Sequence, residues 1–273
     1  MSRQSGPAGA RNLGAKKAGG DVLFFVDADV VVKPATVERI VASFTQDPDL
    51  AAVFGSYDAE PAEKNFISQY KNLFHRFVHQ HARTEAATFW AGCGAVRRDV
   101  FLALDGFDEE RYSRPAIEDI EFGYRMRLKG HRILLDKQLE GKHLKRWTLK
   151  SMLHADIFCR AIPWSTLILE NQEILNDLNL RTSDRLSAGL LAVSLFLVPF
   201  AIIKPLLFLL ITALLLLILI VNYKLYGFFL THRGLTFAIR AFPLHLLYYF
   251  YSSATFVLCC FKHFFRYPRL RKS

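Results

Sequence analysis

Apolar and polar positions follow two regimes along the chain. Up to residue 146, short apolar runs alternate with stretches of helical spacing. Ala8–Ala18 predicts a helix that Gly19-Gly20 ends, and Asp21–Val32, with VLFFV near its start, predicts a strand. A helix over Pro34–Thr45, a strand over Ala51–Tyr57, a long helix over Asn65–Ala82 and a short strand over Ala87–Trp90 follow. Helices over Arg98–Leu104 and Asp119–Leu128 and a strand over Arg132–Leu135 complete the series. Such alternation implies an α/β sheet covered on both faces.

The second regime begins at Trp147. Leu149, Met152, Leu153 and Ile157 recur at helical spacing with Lys150, His154 and Arg160 between them. The stretch Trp147–Leu180 therefore reads as an amphipathic helix broken at Pro163, lying on a membrane surface or packed on the preceding domain. Leu186–Ile203 is an uncharged, largely apolar run of 18 residues, Lys204-Pro205 interrupts it, and apolar character resumes up to Val221. Two such runs around a tight break predict a transmembrane hairpin. A third stretch, Ala241–Phe261, has no formal charge but carries Pro243, His245, Tyr248, Tyr249 and Tyr251. The predicted organisation is a catalytic-type α/β domain over 1–146, interfacial helices over 147–185, a hairpin over 186–221, and a basic loop, third apolar stretch and basic tail over 222–273.

Charge sharpens this division. The 273 residues are 52 % hydrophobic, too apolar for a disordered chain, and carry 35 Lys+Arg against 25 Asp+Glu. The excess sits at the end: Tyr223–Ser273 holds eight Lys/Arg and no acid, while the part before the hairpin is nearly balanced. Basic residues flanking apolar runs indicate a membrane edge rather than a nucleic-acid surface. A third crossing would carry Lys262, Arg266, Arg269, Arg271 and Lys272 to the outside. The expectation is therefore two full spans, an interfacial or re-entrant third stretch and a cytoplasmic tail. The first twenty residues contain no apolar core of a signal peptide, so the α/β part is expected in the cytoplasm. Cys93, Cys159, Cys259 and Cys260 form no CxxC pair, which argues against a zinc site or a disulfide framework.

Candidate chemistry centres on Val22–Asp29, VLFFVDAD, an apolar strand ending in two carboxylates one residue apart. Ligands of α/β sheets gather at the carboxyl ends of strands, and alternating carboxylates there can hold a hard divalent cation. Asp27-Ala28-Asp29-Val30-Val31 also satisfies the first motif of haloacid-dehalogenase-type phosphatases. That chemistry needs a later Gly-Asp, and the only one here, Gly20-Asp21, lies upstream. A second acidic group, Glu118, Asp119 and Glu121, opens a predicted helix, where it would also suit the helix dipole.

Taken together, four segments resemble the GT-A glycosyltransferases of family 2. They are GPAGARNLGAKKAGGDVLFFVDADVVV, WAGCGAVRRDVFLALDGFDE, IEDIEFGYRMRLKGHRILL and GKHLKRW, and they cover roughly residues 6–150. The resemblance implies a nucleotide-diphosphate sugar donor and a lipid-linked or polysaccharide acceptor at the cytoplasmic membrane face. It implies that Asp29 and His143 hold Mn²⁺ or Mg²⁺ and that Asp27 contacts ribose or metal. Asp119 would be the catalytic base of an inverting displacement and Glu118 would orient acceptor hydroxyls. Gly92 and Gly94 would let backbone approach the sugar, and Trp147 would meet the acceptor. The family ordinarily has a strand and a nucleotide-binding βαβ unit ahead of these segments. The chain alone is therefore expected to be a truncated GT-A domain, inactive and weak in nucleotide binding. The alternative expectation is an inactive membrane-bound fragment or interaction protein.

Overall fold

The computed structural model describes residues 6–172 and 181–266. The end of the predicted amphipathic stretch (173–180) and most of the basic tail (267–273) lie outside the described residues. The chain folds as two compact units, one ending at Pro163 and the other beginning at Trp164.

In the first unit, α1 (Pro7–Lys17) leads into β1 (Val22–Val26) and β2 (Val30–Val32). Then come α2 (Thr36–Gln46), β3 (Leu50–Tyr57), α3 (Phe66–His81), β4 (Cys93–Arg97), α4 (Arg98–Ala103), α5 (Glu118–Leu128) and β5 (Arg132–His143). The five strands form one mixed sheet in the order β1-β4-β3-β5-β2. β3 and β5 are parallel; every other pair is antiparallel. All eight residues of β3 are buried, as befits a central strand covered on both faces. Ile40 and Phe44 of α2 pack with Leu50, Val53, Cys93, Ala95 and Leu139 into one core cluster. A second cluster joins Phe25, Phe101, Phe107 and Phe122, with ring centroids 5.1–5.3 Å apart in edge-on or tilted contacts. Asn12 ties α1 to that cluster. Its amide donates to the Phe107 carbonyl (2.8 Å) and accepts from the Phe107 N–H (2.9 Å), closing two buried backbone groups at once.

Several predicted elements shift. The strand expected over Ala87–Trp90 is irregular backbone, and the real strand, β4, starts at Cys93. Phe89 is buried because the segment turns inward, not because it pairs. The strand expected over Asp21–Val32 is two strands separated by a turn at Asp27-Ala28-Asp29, in which Val30 N–H donates to the Asp27 carbonyl (3.0 Å). That turn takes the chain from one edge of the sheet, β1, to the other, β2. β5 runs on from Leu135 to His143, well past its apolar run. Leu139 faces the core, while Glu140 pairs with Lys33 (2.5 Å) and with Arg76.

After β5, α6 (Leu149–His154) starts from a capping box between Thr148 and Ser151. Pro163 does not break the following helix: it is the second residue of α7 (Ile162–Asn171). The irregularity falls earlier, where Ala155–Ala161 winds as a π-helix. Proline cannot sit against the carbonyl four residues back, and wider winding relieves that clash.

In the second unit, α8 (Thr182–Ile203) and α9 (Leu207–Val221) pack as a hairpin around Leu191 and Ile218. α10 (Tyr223–Arg233) bends from α9 by 70°, and α11 runs from Leu235 to Arg266 with Pro243 inside it. α8 and α11 are each long and apolar enough to cross a bilayer, and the bent pair α9–α10 would pass the same test together. The 22 residues of α8 extend ~33 Å at about 1.5 Å per residue. A polar network fixes where α11 sits on the hairpin. Asn222, just past α9, donates to Ser187 Oγ of α8 (2.9 Å). The Tyr249 hydroxyl lies 3.1 Å from Asp184 Oδ1 and 3.0 Å from Asn222 Oδ1 and shares its proton between them. Asp184 is in the first turn of α8. The middle of α11 therefore lies at the end of the hairpin where α8 starts and α9 finishes.

Candidate active site

The end of β1 is prolonged by one further ladder bond, from Asp27 N–H to the Gly92 carbonyl (3.1 Å). The turn that follows delivers two carboxylates to different surroundings. Asp27 turns to Arg11 of α1, whose Nη2 donates to Asp27 Oδ1 at 2.5 Å. The other nitrogen of that guanidinium, Nη1, donates to Glu118 Oε1 at 2.7 Å. Arg11 thus bridges the end of β1 and the start of α5. Burial works against its charge, and Asp119, Asp27 and Glu118 more than compensate, raising its pKa.

Asp29 points to His143. The Asp29 carbonyl accepts from Leu144 N–H (2.8 Å), and Val30 pairs with His143 in the β2–β5 ladder, so backbone fixes both residues. Asp29 Oδ2 then stands 3.8 Å from His143 Nε2, beyond hydrogen-bond length. The neighbouring His143 ring holds the Asp29 carboxyl below the usual carboxylate range, against partial burial. His143 is buried and stacked on Tyr57, with ring centroids 4.1 Å apart and planes 12° off parallel.

At the start of α5, Asp119 Oδ2 accepts from Ala91 N–H (3.0 Å) and Oδ1 from Ile120 N–H (2.8 Å). Burial pushes its pKa up to about 6, and Glu118 adds to the rise, while Arg11 and the Ala91 N–H pull the other way. Glu118 Oε2 accepts from Ala116 N–H (3.0 Å). Glu121 is turned away, in a bidentate pair with Arg125 (2.7 and 2.9 Å).

The remaining sequence candidates line the same strand ends. A side chain at Gly92 would strike the Trp90 indole, and one at Gly94 the Trp90 carbonyl and the Phe89 ring. Trp147 is buried, with its backbone N–H donating to Ser68 Oγ (2.7 Å), its backbone carbonyl accepting from the Asn65 amide (2.9 Å) and Lys145 Nζ 4.4 Å from its ring centre.

The resemblance puts Asp29 and His143 on one ion and Asp27 on ribose or metal. Asp29 and His143 face each other, whereas Asp27 is held by Arg11. Among the described residues no group of three or more His, Cys, Asp or Glu is placed to hold a metal. Sequence reading missed Arg11 and Tyr57. Arg11 is the one charge in an otherwise small-residue helix start, PAGARN, and Tyr57 ends the all-buried strand LAAVFGSY.

Residues 1–104 match the family model described as glycosyl transferase family 2. No curated protein matches the chain. Two solved structures are similar. One is GalNAc-T7 with UDP, GalNAc and Mn²⁺, at 19 % identity and TM-score 0.41, covering 57 % of this chain and 35 % of that one. The other is the mannosyltransferase PcManGT from Pyrobaculum calidifontis with GDP-Man and Mn²⁺, at 15 % identity and TM-score 0.44, covering 94 % of this chain and 68 % of that one. The chain thus spans about a third of the length of GalNAc-T7. The match makes the N-terminal segment, residues 1–104, similar to the glycosyltransferases of family 2. The segments containing Asp119 and His143 lie beyond the matched residues.

Arg11→Gln removes the cation that favours ionised Asp119. The Asp119 pKa, about 6 in the wild type, should rise further. Isotope-edited infrared titration of the aspartate carboxyls reads this directly, and an unmoved or lowered titration point would show that Arg11 does not act on Asp119.

Proposed function

We propose that the protein transfers a sugar from a nucleotide-diphosphate sugar to a lipid-linked or polysaccharide acceptor at the cytoplasmic face of a membrane. The observation that carries this reading is the pairing, at the end of a family 2 strand, of a carboxylate–imidazole couple with a separate carboxylate whose pKa is about 6. The two have different tasks, one toward the departing diphosphate and one toward the incoming hydroxyl.

Asp29 and His143 fit a divalent ion. They offer one carboxylate oxygen and one imidazole nitrogen 3.8 Å apart, within the span that two ligands about 2.1 Å from one ion can bridge. When bound, Mn²⁺ or Mg²⁺ supplies positive charge to the diphosphate as it leaves. The rest falls to this chain. Asp119, held by two backbone N–H groups, faces the acceptor hydroxyl and takes its proton as the oxygen bonds to the anomeric carbon. The bond from that carbon to the diphosphate breaks in the same displacement, which inverts the centre. A base with a pKa near neutrality suits this task. Glu118, fixed by Arg11 and Ala116 N–H, orients acceptor hydroxyls, and Arg11 keeps Asp27 in place beside the donor ribose. Gly92 and Gly94, whose Cβ positions are taken up by Trp90 and Phe89, let backbone approach the sugar, and Trp147 offers an acceptor contact.

For the membrane part, the α8–α9 hairpin crosses twice, and α10 and α11 stay at the face where α8 begins. The Tyr249 bonds to Asp184 and Asn222 support this, since they hold the middle of α11 at that end of the hairpin.

In the intact protein, Asp119→Asn keeps shape and removes basicity. Turnover should fall by about 10² or more while nucleotide binding survives. The wild-type rate should itself fall below about pH 6, as the proton occupies Asp119. Wild-type turnover in the variant sinks the assignment, and joint loss of turnover and nucleotide binding assigns Asp119 a structural role instead. A topology reporter fused after Ser273 should give a cytoplasmic signal; an external signal means that α11 crosses.

A further inference from the structure

Beside the Tyr57–His143 stack, α3 presents Lys71, His75 and His79 at four-residue spacing, hence on one face of the helix. The His75 and His79 rings are 4.0 Å apart, and His75 lies 4.5 Å from Tyr57 and 5.0 Å from Trp90. The π-helical segment stands against the Lys71 end of this stripe. Lys71 Nζ is bonded to Asp156, a carboxylate that is itself buried, and Arg160 Nη1 lies 3.9 Å from the same oxygen. Two cations therefore share one carboxylate, and one positive charge is left over. That charge belongs to Arg160, whose side chain is 42 % exposed. Its field reaches Tyr57, Lys71, His75 and His79. The His75 Nδ1 atom is buried with no hydrogen-bond partner among the described residues.

These features describe a receptor for an anion with several oxygens. The Arg160 guanidinium and the Lys71 ammonium meet at Asp156, His75 lies one helical turn from Lys71, and among the described residues no second carboxylate is placed on Arg160. A neutral sugar hydroxyl would require no such surplus. Tyr57 is the shared wall: its ring touches both His143, which faces Asp29, and His75. An anion bound here thus sits next to the site of transfer, on the segment of chain that leads into the apolar helices. We propose that Arg160, with Lys71 and His75, holds the phosphoryl group of a lipid-phosphate acceptor. This rests on the glycosyl-transfer reading above and narrows its acceptor from a lipid or polysaccharide to a lipid monophosphate.

The test uses the detergent-solubilised protein and farnesyl phosphate as probe, with farnesol and inorganic phosphate alongside. Farnesyl phosphate should bind and farnesol should not. Arg160→Gln should weaken binding by about tenfold or more, Arg160→Lys should retain most of it, and Arg160→Glu should abolish it. UDP and GDP affinity in the presence of Mn²⁺ should stay unchanged across the series, as should the thermal unfolding midpoint. Three results overturn the proposal: no binding of farnesyl phosphate, binding indifferent to Arg160, or loss of UDP or GDP affinity with Arg160, which would give the cation to the donor. Inorganic phosphate binding as tightly as farnesyl phosphate also refutes the lipid source. Phosphate binding through Arg160 without any sugar transfer leaves this site standing and removes the function. Sugar transfer to a neutral carbohydrate, with no farnesyl phosphate binding, does the reverse.

Discussion

The first unit depends on a single guanidinium. Asp27, Glu118 and Asp119 come from two distant parts of the chain, and all three bear on Arg11. Without a cation between them, like charges at the end of β1 and the start of α5 would repel, with least screening by water at Glu118, whose side chain is 6 % exposed. Removing one partner from such a buried pair costs about 3–5 kcal/mol, because the other charge is left uncompensated. Arg11 has its exposure reduced to 17 % and is directed by α1, whose next residue, Asn12, clamps Phe107. One turn of helix therefore does two things. It closes the aromatic core, and it sets the spacing between the strand-end carboxylates and the helix-start carboxylates.

From that constraint the electrostatics of the site follow. Asp27 and Glu118 are satisfied by Arg11, which leaves Asp119 as the carboxyl that burial drives upward. Asp29, on the far side of the turn, goes the other way and is held ionised beside His143. Two carboxylates two residues apart in sequence, Asp27 and Asp29, thus acquire different partners, and Asp29 and Asp119 acquire opposite pKa shifts. Pairs of acids separated in this way are what acid–base and electrostatic roles need in one site.

Much of this was legible in the sequence. The helix at Pro7–Lys17, the strand ending in Asp27-Ala28-Asp29 and the acidic first turn at Glu118 carry strong local signals, and so does the apolar hairpin. What stayed hidden depends on tertiary partners. The polar half of β5 reads as loop, because Leu139 is its one apolar side chain while Glu140 is stabilised by Arg76 and Lys33 from elsewhere. The segment Ala87–Trp90 reads as strand because Phe89 and Trp90 are large and apolar, yet Phe89 packs edge-on against Phe54 and Phe122 from irregular backbone. The π-wound turn before Pro163 has no sequence signal beyond the proline itself. Arg11 was visible, but nothing local to it indicates that its partners lie 16 and 107 residues away.

The central claim is that the strand-end couple of Asp29 and His143 binds the divalent ion that a nucleotide-sugar transferase requires. Paramagnetic broadening by Mn²⁺ of the His143 ring resonances tests it most directly, because it reads the ion at one named atom and needs neither donor nor acceptor. The account predicts saturable broadening of His143 at low Mn²⁺, lost in Asp29→Ala while the rest of the spectrum is kept. Broadening that spares His143, or that persists unchanged without the Asp29 carboxylate, would contradict it.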